Sequence, residues 1–112
     1  MDKLEQYRLI VRDVLTAVAN IPYSNPEIVH EAVFDTVNDR YLVMSVGWQE
    51  PTNRLHFCLI HVDIINEKIW IQRDGTEDGI AYDLEEAGIP KSDIVLAFHS
   101  KGVRPYTGYA VA

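Results

Sequence analysis

A chain of 112 residues with 47% hydrophobic and 24% charged side chains has the size and make-up of one ordinary globular domain, which excludes disordered, collagen-like and coiled-coil classes. Its formal charge of −7 at pH 7 opposes non-specific binding to nucleic acid or an anionic membrane, because both rely on lysine and arginine to neutralise phosphates. The single cysteine, Cys58, has no internal disulfide partner, no apolar run reaches membrane-span length, and the amino terminus reads as an amphipathic helix and not a signal peptide, so the expected location is the cytoplasm.

In chain order, Leu4, Tyr7, Val11, Val14, Leu15 and Val18 recur at helical spacing, with Glu5, Arg8, Arg12 and Thr16 on other faces, which predicts an amphipathic helix over 3–19. Asp2 with Glu5 has the form of a capping box, and Asn20 with Pro22 stops the helix. After the turn-rich "IPYSNPE", the runs "IVHEAVFDT", "RYLVMSVGW" and "RLHFCLIHVDII" are rich in β-branched and aromatic residues and predict three strands. "VND" and "EPTN" are short enough for hairpins, and "NE" turns the chain into a fourth strand, "KIWIQR", so the expectation is a four-stranded antiparallel meander. Both alternating sets of "RLHFCLIHVDII" are largely apolar, which fits a strand covered on both faces and places it centrally.

The next stretch, "RDGTEDGIAYDLEEAG" at 73–88, offers Asp74, Thr76, Asp78, Gly79 and Glu85 at nearly the ligand spacing of an EF-hand calcium loop. An EF-hand needs a helix before its loop, whereas "KIWIQR" alternates Ile69 and Ile71 against Trp70 and Gln72 with the period of a strand. Thr76 stands where Asp or Asn is usual, Ala81 where an aliphatic residue pairs with a sister loop, and no second loop exists. A turn into a capped helix explains the same letters. Asp74 and Gly75 turn the chain, Asp74 or Thr76 caps, Glu77 and Asp78 lie at the positive end of the helix dipole, Ile80, Leu84 and Ala87 form the buried stripe, and Gly88 with Pro90 is the stop.

Other chemical candidates are weaker. His56 and Cys58 share a strand face as a base and nucleophile would, but a cysteine between Phe57 and Leu59 is expected to be an inert buried thiol. His61 and Asp63 form half a metal site with no third ligand in sequence. Glu67 and Lys68 are adjacent and point to opposite faces, unlike the carboxylate-x-lysine of restriction-type nucleases. The scattered glycines build no phosphate loop. "KSDIVLAF" predicts a short fifth strand with a helical turn at its start, and "HSKGVRPYTGYAVA" a packed tail. There Lys101 and Arg104, with Tyr106 and Tyr109 beside them, read either as a contact surface or as solvated side chains over that tail.

Through "FDTVNDRYLVMSVGW", "HVDIINEKIWIQRDGTEDGIA", "AGIPKSDIVLAF" and "RPYTGYAVA" the chain resembles, end to end, the XisI family of fdxN element excision controlling factor proteins. The resemblance implies an α+β two-layer sandwich over 1–112: an N-terminal helix, the four-stranded meander, a second helix and a short C-terminal strand and tail, which periodicity predicts independently. It also implies a part in controlling site-specific excision of a DNA element in cyanobacteria, beside a recombinase that performs the strand chemistry and a companion protein, XisH. No catalytic, cofactor or metal residue carries across from the family pattern.

The resulting expectation is a non-enzymatic regulatory factor that acts through contact with an XisH companion and a recombinase complex. Its competitors are a metal-dependent hydrolase built on the carboxylates between Asp74 and Asp83, and a DNA-binding specificity factor, which the acidic balance opposes. Contact candidates are Trp70, Gln72, Arg73 and Asp74, where the fourth strand meets its turn, with Arg104 and Tyr106 of the tail. One helix layer leaves the other sheet face to be covered, and "YAVA" is too little for that, so a homo-oligomer using the open face or a strand edge is expected.

Overall fold

The computed structural model describes residues 2–112. Helix α1, Lys3–Ala19, buries Tyr7, Val11 and Leu15, three residues four apart that form one stripe along its length. Asp2 caps it, its Oδ1 accepting the Glu5 N–H at 2.8 Å, and at its end Asn20 N–H donates to Thr16 O and Ile21 N–H to Val18 O.

Strands β1 (Ile28–Asp35), β2 (Arg40–Glu50), β3 (Asn53–Ile65) and β4 (Lys68–Asp74) form the expected antiparallel meander, with β3 in the middle of a five-stranded sheet ordered β1-β2-β3-β4-β5. Asn66 and Glu67, with φ of 53° and 60°, make the two-residue turn between β3 and β4, whose left-handed backbone matches the twist of a hairpin. The fifth strand, β5, is shorter than "KSDIVLAF": a 3-10 turn at Lys91–Asp93 precedes Ile94–Leu96, which pairs parallel to β4 and makes the sheet mixed. Residues 75–93 form the crossover that a parallel pairing requires, and they carry helix α2, Ala81–Glu86.

Both helices cover the same face of the sheet. Tyr41, Val43, Ile60, Val62, Ile69, Ile71 and Ile94 from the strands meet Tyr7, Val11 and Leu15 of α1 and Ile80, Leu84 and Ile89 from the crossover in one core. Fully burying each aliphatic side chain contributes about 1.5–3 kcal/mol. Polar ties fix α1 on that core. Arg8 donates to both Asp39 oxygens at 2.7 and 3.0 Å, Tyr41 donates to Asp39 Oδ1 at 2.9 Å, and Tyr7 and Lys3 both reach the Asp93 carboxylate.

Three sequence expectations for α2 are corrected: its cap by Asp74 or Thr76, its first turn, and the end of its buried stripe. The helix begins behind Ile80, which makes no side-chain cap, so Glu77 and Asp78 lie in the loop before it and not in its first turn. Asp74 is spent on that loop: its Oδ1 accepts the Thr76 N–H at 3.0 Å and hydroxyl at 2.5 Å, and its Oδ2 accepts the Ile80 N–H at 2.7 Å. Ala87 is exposed and Ile89 takes its place in the core. Gly88, at φ +117°, reverses the chain, with Gly88 N–H bonded to Glu85 O and Ile89 N–H to Leu84 O, the two bonds of a Schellman ending that turns the next apolar side chain inward.

At Gly47 the strands approach so closely that a Cβ would overlap the Glu27 carbonyl and come within 2.7 Å of Ile28 Cα. Gly47→Ala is expected to lower stability by about 2–4 kcal/mol, read from urea unfolding of both proteins. A second expectation concerns acid. The hydrogen bond from Arg8 holds the Asp39 carboxyl below its ordinary value of 3.8, against opposing burial. A depressed native pKa adds stability that is complete above the unfolded value and is lost as pH falls through the native one. Melting temperature should therefore fall below about pH 4, and Asp39→Asn should flatten that fall while lowering stability at neutral pH.

Candidate functional site

The sheet face opposite the helices is only partly covered. Alternation in β2 sets Arg40, Leu42, Met44, Val46 and Trp48 on it, and their partners in register are Asp63, His61, Cys58, His56 and Arg54 of β3. Two bulges make this possible. Leu59 is the extra residue between the pairs Val43↔Ile60 and Met44↔Cys58, and Gln72 is the extra residue between Val62↔Ile71 and His61↔Arg73. Without the second, strict alternation would turn Arg73 toward the core; with it, Trp70, Gln72 and Arg73 all face outward.

Each tryptophan on this face lies beneath an arginine. Arg54 stands 5.3 Å from the Trp48 ring centroid and Arg104 stands 5.6 Å from that of Trp70. Arg104 is itself held by the tail it comes from, its Nε donating to His99 O at 3.0 Å and its Nη2 to Ala97 O at 3.1 Å. Directly across from Trp70 in register sits Asp63, buried although it is on the outer face. Its oxygens accept from His61 Nε2 at 2.9 Å, Gln72 Nε2 at 3.3 Å and Arg40 Nη1 at 3.4 Å, so the carboxylate is fully engaged by its neighbours. Arg73 donates from Nε to Cys58 O at 2.7 Å, across the bulged region, and leaves the rest of its guanidinium exposed. Val29, Val33 and Trp48, 52%, 47% and 42% exposed, are the apolar part that the tail does not reach.

Four of the residues singled out in sequence, Trp70, Gln72, Arg73 and Arg104, are thus brought together. Tyr106, 88% exposed, stands on the same 3-10 turn as Arg104. Asp74 is not among them; it faces the crossover loop, as above. Trp48, Arg54, Arg40 and Asp63 were missed as members of this face; the alternation within "RYLVMSVGW" carried the signal for Arg40 and Trp48 alone, because the bulge at Leu59 breaks the alternation between Arg54 and Asp63.

The chemical alternatives can be compared with the same geometry. Cys58 donates its thiol to Ile60 O at 3.1 Å, and burial pushes its pKa up, the opposite of an activated nucleophile. Among the described residues no group of three or more His, Cys, Asp or Glu side chains is disposed to hold a metal ion. The Asp74 loop is filled from within, Thr76 Oγ1 also accepting the Gly79 N–H at 3.1 Å. A cleft of 550 Å³ opens beside it, walled by Val18, Ile21, Tyr23, His30 and Leu59 and rimmed by Glu77, Asp78 and Asp83. In the inner layer the two ring nitrogens of His30 and the hydroxyl of Ser45, opposite each other in register, are buried without a hydrogen-bond partner.

A family profile described as XisI protein matches residues 1–111. The fold is similar to that of a XisI-like protein from Anabaena variabilis, with 37% identity, a TM-score of 0.89, and coverage of 97% of this chain and 99% of that one. It is similar also to the fdxN element excision controlling factor XisI of Anabaena variabilis, with 32% identity, a TM-score of 0.85, and coverage of 99% and 100%. No curated protein matches the chain.

Because both Asp74 oxygens are engaged by main-chain and hydroxyl donors, Asp74→Ala is expected to cost about 1–3 kcal/mol in urea unfolding, the penalty of orphaned loop donors. Calorimetric titration with calcium should show no binding tighter than roughly millimolar. Micromolar binding that vanishes in Asp78→Ala would restore the loop as a cation site.

Proposed function

The chain belongs to the XisI family, and from that we propose a non-enzymatic regulatory factor that controls site-specific excision of a DNA element through protein contacts in the cytoplasm. The similar protein of Anabaena variabilis is described as an excision controlling factor, which supports a regulatory role. The proposed partners are an XisH-like companion and, through it, a recombinase complex, with the chain itself self-associated.

The observation that carries this reading is the outer face, with an arginine-stacked tryptophan on β2 and another on β4, and with exposed Val29 and Val33 on the neighbouring β1. Tryptophan and arginine dominate the residues that anchor protein interfaces, because they bury a large area at small entropic cost while offering directional donors. Arg40, Arg54, Arg73 and Arg104 stand on this face, with Glu31 and Asp35 at its β1 margin, whereas Glu77, Asp78, Asp83 and Glu86 lie along the crossover on the other side. The face therefore suits an acidic protein surface, while the net charge of −7 weakens long-range attraction to DNA.

Purified protein is expected to form a stable complex with its cognate XisH, and to bind duplex DNA weakly and without sequence preference at physiological salt. Arg73→Ala should weaken the XisH complex about tenfold by calorimetry, the effect of one interface arginine, with an unchanged circular dichroism spectrum. Tight binding of the isolated chain to an element border, indifferent to XisH, would replace this reading with that of a DNA-specificity factor.

A further inference from the structure

The two edges of the sheet are finished differently. Beside β5 the tail closes the edge, Ala110 bridging to Val95 and donating its N–H to Ile94 O at 2.8 Å. On the far side of β1 no strand follows among the described residues. Trp48 N–H donates to Glu27 O at 3.1 Å, which marks that pair as a hydrogen-bonded one in the β1–β2 ladder. Alternation along an antiparallel ladder then turns the main-chain groups of Val29, Glu31, Val33 and Asp35 toward β2 and those of His30, Ala32 and Phe34 toward the open edge.

Edge strands of monomers are normally blunted by lysine, proline, a bulge or an inward charge, because unpaired main-chain groups invite another strand. Strand β1, "IVHEAVFD", is eight residues long with an unbroken register to β2; it carries neither lysine nor proline, and its only charges are Glu31 and Asp35. We propose that β1 pairs antiparallel with β1 of a second copy about a two-fold axis at Ala32, joining the two sheets into one. The inference deepens the self-association of the reading above and stands on the geometry and the charge pattern of this edge.

Charge selects both the occupant and the register. A two-fold contact must be self-complementary, and three central registers keep like face with like face. Centred on Glu31, the pairing sets two Glu31 carboxylates opposite each other; centred on Val33, it sets Glu31 against Asp35, and like charges directly opposite destabilise a ladder. Centred on Ala32, it sets Glu31 against Val33, Asp35 against Val29 and His30 against Phe34, with no like pair. Asp35 is already satisfied by its own turn, accepting from Val37 N–H, Asn38 N–H and Asn38 Nδ2. Ala32, small and exposed, leaves room for its symmetry mate at the axis. The outward groups of His30, Ala32 and Phe34 then supply about six main-chain hydrogen bonds, two for each hydrogen-bonded pair.

Sedimentation of the full chain alone, across the micromolar range, tests this without reference to any other partner. A concentration-dependent dimer is expected. Ala32→Pro removes an outward N–H that the β1–β2 ladder does not use, and should raise the dimer dissociation constant at least tenfold with an unchanged circular dichroism spectrum. Ala32→Asp, which sets two carboxylates across the axis, should do the same at neutral pH and covers the case in which the proline variant fails to fold. Glu31→Gln should leave the dimer as it is. A wild-type chain that stays monomeric, or Ala32→Asp dimerising as well as wild type, would overturn the proposal; a marked tightening in Glu31→Gln would overturn the register.

Discussion

Asp39 is the point on which the arrangement of layers turns. It lies in the β1–β2 connection with a left-handed backbone, φ 55°, a conformation that costs most side chains energy but that Asp tolerates. Its carboxylate takes both Arg8 of α1 and Tyr41 of β2, and its main-chain carbonyl takes the Ile64 N–H of β3 at 3.0 Å. One residue therefore ties the first helix, the hairpin and the central strand. Hydrophobic burial alone would hold α1 against either apolar side of β3, since it is non-directional. The fork of Arg8 and the phenol of Tyr41 specify which side, and so which face of the sheet stays open. Burial and the Asp39 hydrogen bond push the Tyr41 pKa up to about 12, so its hydroxyl remains a donor across the physiological range.

The open face owes its character to irregularity. A regular β4 would bury Arg73 and expose its neighbours in strict alternation, and no cluster of Trp70, Gln72 and Arg73 would exist. The bulge at Gln72 costs one ladder pairing and turns two consecutive polar side chains outward. One of them, Gln72, is used at once to satisfy Asp63, whose burial would otherwise carry a desolvation penalty. Arg73 caps the carbonyl of Cys58 beside the other bulge, so the two irregularities support each other.

The α1 helix and the four long strands were legible because their apolar periods of 3.6 and 2 are each imposed by one covered face, and a covered face leaves its mark on every second or third residue. Turn chemistry was legible where the backbone demands special residues, as at Asn66 and Glu67. The start of α2 was not. "DGTEDG" contains several residues able to cap, and which of them does so depends on where Ile80 finds the core, a tertiary fact. Bulges were equally hidden, since an extra residue such as Leu59 or Gln72 looks like its neighbours; as a result the individual candidates Trp70, Gln72 and Arg104 could be named while the face that unites them with Trp48, Arg54 and Asp63 could not.

Edge and face make one arrangement. In the proposed dimer the two-fold axis at Ala32 would run perpendicular to the sheet, so both helix layers would lie on one side and both Trp70–Arg104 clusters on the other. Strand β4 is three strands from β1, which would separate the two clusters by seven strand spacings, roughly 34 Å at ~4.8 Å per strand. Two equivalent contact faces at a fixed spacing on one rigid sheet bind a two-fold partner with the second contact already positioned, and the cost of bringing it in is small. A single face with an arginine-capped tryptophan at each end is a modest interface by itself; the proposed pairing of β1 edges would convert it into a bivalent one, with the β5 edge closed by the tail and the β1 edge left to a second copy.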